Sequence, residues 1–289
     1  MKVGVTFPQS DLYMDSSAVR HWARTVEELG FDHILLYDHI IGADITARPQ
    51  WTGFHTSKDR FHEILVTLGY LAAITEKVEL VTGILCLPQR QTVLVAKQAA
   101  EVDILSNGRL RLGVGIGWNE VEYEALGMSF KDRPSRMEEQ IILLRKLWSE
   151  EHVKISSKWH RISDAGLNPL PIQRPIPIWY GSTMDKTIDR AVRLADGWMP
   201  GNRKPELVKP QIQLLHDSLI RHGRDISKYG LHGRFSLKDG SPDDWKTVRD
   251  FWDQAGASHF SISTIYSGEL TLDGHLSLIE KYATEIGLT

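Results

Sequence analysis

The chain of 289 residues carries 34 Lys and Arg against 37 Asp and Glu, a net charge of −3. This balance excludes the basic patch expected of a protein that binds nucleic acid or an anionic membrane surface. The length suits two small domains or one α/β barrel of about 250 residues, and the single cysteine excludes an intramolecular disulfide and a cysteine-based zinc site.

The first segment, MKVGVTFPQ, predicts a short strand rather than a signal peptide. No apolar run approaches the roughly 20 residues of a membrane span, so we expect a soluble, cytoplasmic protein. In the next segment, SSAVRHWARTVEELG, apolar residues recur at helical spacing and Gly30 ends the predicted helix. The apolar face of this helix comprises Val19, Trp22, Ala23, Val26 and Leu29.

Strands and helices alternate along the rest of the chain. The further predicted strands are HILLYDH, VELVTGILCLP, LRLGVGIG, IPIWYG, GWMP, LHGRFSL and HFSISTI. Eight strand–helix pairs predict a (β/α)8 TIM barrel, with an open, doubly wound sheet as the alternative. The sixth strand, GWMP, is short, and Gly233 interrupts the seventh. We expect one domain over residues 1–289, with insertions at about 40–62 and 150–176.

In such a barrel the ligand site lies at the C-terminal ends of the strands, so the residues that close each strand are the candidates. Asp38 and His39 close the second strand. An adjacent acid and imidazole could hydrogen-bond a ligand or serve as acid and base near neutral pH. Capping of the following loop is the alternative.

The stretch LGVGIGW closes the fourth strand and carries Gly113, Gly115 and Gly117. It is not a dinucleotide fingerprint, because the place of the third glycine is taken by Trp118, or by Glu120 when the count starts at Gly115. Closely spaced glycines at a strand end leave room for a flat ligand to lie against bare backbone. A bulged barrel corner would give the same pattern.

Gly181, Ser182 and Thr183 follow the fifth strand and precede a helix that contains Asp185 and Lys186. Amide groups at a helix start can receive a cofactor phosphate, and the two hydroxyls add donors. Plain capping by Ser182 or Thr183 is the alternative.

Two further groups of side chains have less specific patterns. We expect Glu120 to cap the helix after the fourth strand, while Asn119 could cap it or contact the cofactor. Three arginines are predicted to form surface salt bridges: Arg136, Arg190 and Arg193.

The polar stretch 42–60 is long for a loop between a strand and a helix, and such loops are often lids or binding loops. Trp51, Phe54 and His55 could pack over a substrate there. A disordered or dimer-facing insertion is the alternative.

Taken together, several segments resemble the bacterial luciferase-like monooxygenase superfamily in order and spacing. They are YDH, LAAIT, VELVTGILCLPQRQTVLVAKQAAEVDILSNGRLRLGVGIGWNEVEYEALG, IPIWYGS, RAVRLADGW and GASHFSIST. The chain is most similar to the short members of this superfamily, which depend on coenzyme F420, a deazaflavin, rather than on FMN. The resemblance implies a TIM barrel that holds a flavin or deazaflavin across its mouth, with hydride transfer or oxygen chemistry at the ring.

The resemblance also bears on individual residues. It implies a bulge in the third strand at Gly83 and Ile84, where a non-prolyl cis peptide backs the flavin ring. Related deazaflavin-dependent dehydrogenases have a glutamate as proton donor just after the glycines of the fourth strand. This chain has Trp118 there, which we expect to shape the substrate pocket together with Trp51 and Phe54.

These observations predict a luciferase-like oxidoreductase or monooxygenase that acts on a small organic substrate, with coenzyme F420 as first choice of cofactor and FMN as second. We expect a homodimer, a separate cofactor-reducing enzyme as a further partner, and no metal. Two other classes stay open. A non-catalytic flavin-binding protein would be compatible with the missing glutamate. A metal-dependent barrel hydrolase is disfavoured because the first strand ends in TFPQS instead of a His-x-His pair.

Overall fold

The computed structural model describes residues 1–11, 15–201, 204–268 and 271–288. The strands are β1 (Lys2–Thr6), β2 (His33–Leu36), β3 (Glu79–Thr82), β4 (Leu85–Cys86), β5 (Leu110–Gly115), β6 (Val153–Ser156), β7 (Arg161–Ala165), β8 (Ile178–Gly181), β9 (Gly197–Met199), β10 (Gly230–Ser236) and β11 (His259–Ser263). The helices are α1 (Ser16–Glu28), α2 (Ile64–Ile74), α3 (Thr92–Leu105), α4 (Glu120–Ala125), α5 (Arg133–Ser149), α6 (Ile188–Leu194), α7 (Pro205–Arg221), α8 (Pro242–Gln254) and α9 (Leu272–Glu285).

The sheet is a closed parallel barrel. β1 pairs with both β2 and β11, and each further barrel strand pairs in parallel with the next around the ring. β3 and β4 are two parts of the third barrel strand, and both pair with β5. The predicted (β/α)8 barrel is therefore confirmed. The open doubly wound sheet is wrong, because such a sheet would leave two unpaired edges.

The two irregular strands of the prediction are present. β9 has only three residues, whereas β10 runs through Gly233 without a break. A Cβ at Gly233 would lie 2.3 Å from the ring of Trp252 in α8. The glycine therefore brings the indole close to the strand, and the seventh strand is uninterrupted.

Helix α1 shows how the outer layer is held. Asp15 caps it by accepting hydrogen bonds from the amides of Ser17 and Ala18. Its predicted apolar face is buried except for Leu29, which is half-buried. Trp22 has no exposed surface and meets Phe7 edge to face at 5.2 Å. Burial of each such side chain contributes about 1.5–3 kcal/mol, which fixes the helix on the barrel.

The inside of the barrel holds a polar cluster near the N-terminal ends of its strands. The Nε2 atoms of His33 and His232 both lie 2.7 Å from the Ser261 hydroxyl. Arg111 reaches His232 Nδ1 at 3.1 Å and Glu79 at 3.3 Å. Burial holds the pKa of both histidines well below the ordinary value and lowers that of Arg111 to about 10. This end of the barrel is filled, which leaves the other end for a ligand.

Two segments lie outside the barrel. β6 and β7 form an antiparallel hairpin within the 150–176 segment. Residues 40–62 contain no helix or strand, and one bridge joins Ala43 to Thr56. None of the helices described here is both long enough and apolar enough to cross a membrane.

Candidate active site

A cavity of about 550 Å³ opens over the C-terminal ends of the barrel strands. It is lined by all eight residues predicted to bind the cofactor: Gly83, Ile84, Gly115, Gly117, Asn119, Gly181, Ser182 and Thr183. Asp38, His39 and Trp118 line it as well. Trp51 and Phe54 do not. The sequence-based candidates from four different strand ends therefore meet in one space.

The floor of this cavity is the Ile84 side chain. The peptide bond between Gly83 and Ile84 is cis, as the resemblance implied. A Cβ at Gly115 would lie 2.7 Å from Ile84 Cδ1, and a Cβ at Gly181 would lie 2.3 Å from Ile84 Cγ2. These glycines therefore accommodate an isoleucine rather than offer bare backbone to a ligand, which corrects the sequence-based explanation of Gly115.

Gly117 has a separate role in the same stretch. Its φ of +61° is in the left-handed region that favours glycine, and a Cβ there would lie 2.9 Å from Cys86 Sγ. Burial raises the pKa of the Cys86 thiol well above its ordinary value, so this side chain is a neutral wall of the cavity. Backbone conformation and packing, rather than approach to a ring, account for Gly117.

His39 is held by a buried carboxylate that the sequence reasoning missed. His39 Nδ1 lies 2.8 Å from Glu122 Oε1, which also accepts from the Ile40 amide, while Glu122 Oε2 accepts from Gln89. Burial would raise the pKa of Glu122, but these hydrogen bonds outweigh it and hold the pKa below the usual value. An ionised Glu122 accepts a hydrogen bond from Nδ1–H of His39, so Nε2 is the ring atom left for a ligand.

Three rings surround His39. His55 stacks on it with centroids 4.3 Å apart, Phe61 meets it edge to face at 4.7 Å, and Trp118 at 5.7 Å. Burial, then the nearby His39, lowers the pKa of His55, which favours its neutral form. This packing fixes the orientation of the His39 imidazole at the cavity wall.

Asp38 differs from its neighbour His39. Its side chain is completely buried, one oxygen pairs with Arg90 at 2.7 Å and the other accepts from the Cys86 amide at 2.9 Å. Both carboxylate oxygens are thus engaged in holding β4 and the segment that follows it. We therefore infer that Asp38 positions this part of the cavity and does not exchange protons with a ligand.

The segment after β8 is less open than the sequence suggested. The Ser182 amide donates to the Met199 carbonyl at 3.2 Å, so it is not available to a phosphate. The Ser182 hydroxyl pairs with Thr187 and accepts from Trp198 Nε1 at 3.3 Å. No side chain caps α6. The prediction that Ser182 offers a free amide is wrong, and so is the alternative that it caps this helix.

Helix α4 determines the positions of four polar residues. Asn119 Oδ1 accepts from the Val121 amide at 3.1 Å, so Asn119 is the cap and the prediction for Glu120 is wrong. Glu120 and Glu124 are exposed, whereas Glu122 is 1% exposed. In the sequence NEVEYE the three glutamates are equivalent, and burial alone distinguishes the one that reaches His39.

The aromatic residues of the 40–62 segment lie beside the cavity. Trp51 and Phe54 line an adjacent depression of about 480 Å³, in which Trp118 takes part. Their rings lie 5.8 Å and 6.4 Å from that of Trp118, and Phe54 is 86% exposed. They therefore contact Trp118 from outside the larger cavity, and their contact with a substrate stays a prediction.

The predicted salt bridges of three arginines are confirmed. Arg190 and Arg193 both pair with Glu138, and Arg136 pairs with Asp132 at 2.7 Å. Arg136 is buried rather than at the surface.

His39, His55 and Glu122 form a group in the described chain whose ligand atoms lie within 4.8 Å of one another, close enough to share a metal ion. Two features favour hydrogen bonding instead. The two imidazoles are stacked with planes 22° apart, so their in-plane lone pairs lie in two nearly parallel planes 4.3 Å apart rather than in a common one. Both oxygens of Glu122 already accept hydrogen bonds.

Fold and site together define a barrel enzyme with a cavity of cofactor size at its C-terminal face and an oriented histidine in the wall. The chain belongs to the luciferase-like monooxygenase family, whose model matches residues 2–282. The luciferase-like TIM barrel recognised in the sequence is thereby confirmed.

Two curated proteins are similar to this chain in sequence. The chain is 29% identical to the uncharacterized protein Rv0953c of Mycobacterium tuberculosis over 209 residues, which are 70% of this chain and 74% of that protein. It is also 29% identical to the FMNH2-dependent dimethylsulfone monooxygenase of Pseudomonas putida over 185 residues. That match covers 63% of this chain and 50% of the monooxygenase.

Two solved structures share the fold. The monooxygenase RslO1 from Streptomyces bottropensis has a TM-score of 0.80 at 20% identity, with 99% of this chain and 98% of that chain covered. An F420-dependent secondary alcohol dehydrogenase in complex with an F420–acetone adduct has a TM-score of 0.78 at 16% identity and the same coverage. At these identities the likeness concerns the fold.

Proposed function

We propose that the protein is an F420-dependent oxidoreductase that moves a hydride between the deazaflavin and a small organic substrate, with His39 exchanging the accompanying proton. The observation that carries this proposal is the His39–Glu122 pair in the wall of a cavity whose floor is the bulge at Gly83 and Ile84. A flavin or deazaflavin is supported because the relatives and structural neighbours use FMN or F420.

The residues present fit such a cofactor. A volume of about 550 Å³ lies within the usual range for cofactor sites, and the apolar Ile84 side chain suits contact with a flat ring. Arg133 lines the cavity, and its buried Nε has no hydrogen-bond partner within the described residues. This cation would favour the negatively charged chain of the cofactor.

The bound deazaflavin would supply or accept the hydride. The protein has to orient the substrate and to move one proton. In the direction of reduction, a substrate carbonyl carbon gains the hydride while its oxygen takes a proton from His39 Nε2. In the direction of oxidation, the substrate gives its hydride to the cofactor and its hydroxyl proton to His39 Nε2. Glu122 stabilises the protonated imidazole and keeps Nε2 directed to the ligand.

The preference for F420 rests on the resemblance of the sequence to the short, F420-dependent members of the family. The F420-dependent dehydrogenase matches this chain over nearly its whole length, and the monooxygenase RslO1 does so equally. The second candidate is an FMN-dependent monooxygenase that uses reduced flavin and oxygen. Trp118 favours it, since an indole N–H donates a hydrogen bond but no proton at neutral pH. A homodimer, a cytoplasmic location and a separate cofactor-reducing enzyme are further parts of the proposal.

The test combines cofactor binding with one substitution. The purified protein is titrated with F420 and with FMN, and turnover is measured over a panel of alcohols, carbonyls and sulfones. We expect His39→Ala to retain the cofactor and to lose about 100-fold or more in turnover. His21→Ala, an exposed histidine of α1, is the matched control.

Three results would count against the proposal. Full activity of His39→Ala would make His39 structural. Binding of neither cofactor would reject the oxidoreductase. A stoichiometric metal ion, with hydrolytic activity lost in His55→Ala, would favour the barrel hydrolase.

A further inference from the structure

A second, smaller cavity lies beside the one described above. It has a volume of about 140 Å³ and lies over the C-terminal ends of β1, β10 and β11. Tyr37 and Arg234 line both cavities, so the two spaces share a wall. A water molecule takes up about 30 Å³ of liquid, so the smaller space suits a group the size of a carboxylate, sulfonate or phosphate.

The charged residues that line this small cavity are basic. Its charged lining residues are Arg234 and Lys238, and none of its described lining residues is a carboxylate. Arg234 donates from Nη1 to the Gly83 carbonyl at 2.9 Å, but its Nε is buried and has no partner in the described part of the chain. The adjacent Asp11 accepts from the amide of Tyr266 at 2.7 Å. A guanidinium whose Nε is buried without a partner is suited to an anionic ligand.

Thr6 supplies an independent observation. Val3 and Val5 of β1 pack in the core outside the barrel, so the alternation of the strand turns Thr6 inward. Thr6 is 1% exposed, and its hydroxyl has no hydrogen-bond partner within the described residues. Leaving a buried hydroxyl unpaired costs about 1–3 kcal/mol, which a ligand oxygen would recover.

We propose that the small cavity binds an anionic group of the substrate, held by Arg234, Lys238 and Thr6. The rest of the substrate then extends past Tyr37 and Arg234 into the larger cavity, toward His39. This inference rests on the proposed function and adds the class of substrate: a small organic acid, sulfonate or phosphate ester.

The experiment uses calorimetric titration of the protein, with and without bound cofactor. The probes are propionate, propanesulfonate and propyl phosphate, with propionamide as the neutral counterpart. We expect one or more anions to bind and propionamide not to bind. Thr6→Val and Lys238→Ala should each weaken anion binding by about tenfold. Lys228→Ala, an exposed lysine just before the opposite end of β10, should leave it unchanged.

Several outcomes separate the possibilities. Equal binding of propionamide, or anion affinity unchanged in both Thr6→Val and Lys238→Ala, overturns the inference. Competition between the anion and the cofactor assigns the small cavity to the cofactor's own phosphate and also overturns it. A protein that binds the anions as described but binds neither F420 nor FMN leaves the anion site standing and contradicts the proposed function alone.

Discussion

At the scale of single residues, the site depends on one buried carboxylate. Glu122 accepts from His39 Nδ1 at 2.8 Å and is itself hidden from solvent. A histidine oriented in this way presents one defined nitrogen to its ligand, as in other pairs of imidazole and carboxylate. Glu122 is thus a positioning residue, since it acts through His39.

Glu122→Gln should lower turnover by at least about tenfold and leave cofactor affinity unchanged, because the amide removes the negative charge that stabilises protonated His39. Turnover and cofactor Kd are measured together. The ¹⁵N shifts of the His39 ring should show that the single tautomer of the wild type is lost. Glu124→Gln, on the same helix but exposed, is the control. Equal losses in both variants would contradict a positioning role.

Gly181→Ala tests the floor of the cavity. Its new methyl group would meet Ile84 Cγ2 at 2.3 Å, so Ile84 has to move into the space for the cofactor ring. We expect cofactor affinity to fall by more than about tenfold. The double variant Gly181→Ala/Ile84→Ala should recover part of it, because the colliding atoms are gone. An affinity that stays low in the double variant would point to a direct role of Gly181.

At the scale of elements, the bulged third strand is anchored from outside. Arg90 binds two carboxylates, the fully buried Asp38 at 2.7 Å and the partly exposed Glu63 at 3.0 Å. Asp38 also accepts from the Cys86 amide in β4. These contacts fix β4 relative to the end of β2. They thereby set the position of Ile84, which directly precedes β4.

Asp38→Asn should reduce the free energy of unfolding by about 3–5 kcal/mol, because it leaves the Arg90 charge without its buried partner. Glu63→Gln, which removes the exposed partner of the same arginine, should cost about 1 kcal/mol or less. Urea unfolding followed by circular dichroism measures both. Similar losses in the two variants would show that burial of Asp38 does not strengthen its contribution to the free energy of unfolding.

At the scale of the whole molecule, the polar cluster inside the barrel links stability to pH. His33 and His232 are fully buried with pKa values well below the ordinary one, and they face Arg111, His259 and Glu79. Both histidines are neutral in the folded protein and take up protons on unfolding. Their contribution is complete above the unfolded pKa of about 6.5 and is lost as the pH falls below it.

The free energy of unfolding should therefore fall between about pH 6.5 and 5, by about 1.4 kcal/mol per pH unit for each histidine. Glu79, whose pKa is also lowered, adds to the loss at lower pH still. Urea unfolding at a series of pH values gives the slope. His232→Asn should reduce this slope by about 1.4 kcal/mol per pH unit, because one proton fewer is taken up on unfolding. His21→Gln at the surface should leave the slope unchanged. A slope that is the same in all three proteins would contradict the interpretation.

Much of the molecule could be predicted from sequence, and the parts that could not share one cause. The eight strands follow from local patterns of apolar residues, and the strand ends meet by the geometry of the barrel, so Gly83, Trp118 and Gly181 line one cavity as expected. Glu122, Arg234 and the histidine cluster were missed. Their roles depend on which side chains face inward from elements distant in sequence, and no local pattern records that.

The exposed indole of Trp118 gives the cavity an optical property. Four other tryptophans of the chain, Trp22, Trp148, Trp198 and Trp252, are completely buried, whereas Trp118 is 43% exposed and borders the space proposed for the ring. An indole excited in the ultraviolet passes its energy to a nearby flavin-type chromophore, whose absorption overlaps its emission. Binding and release of the cofactor would thus change the tryptophan fluorescence of the protein, so both could be followed in real time without a label.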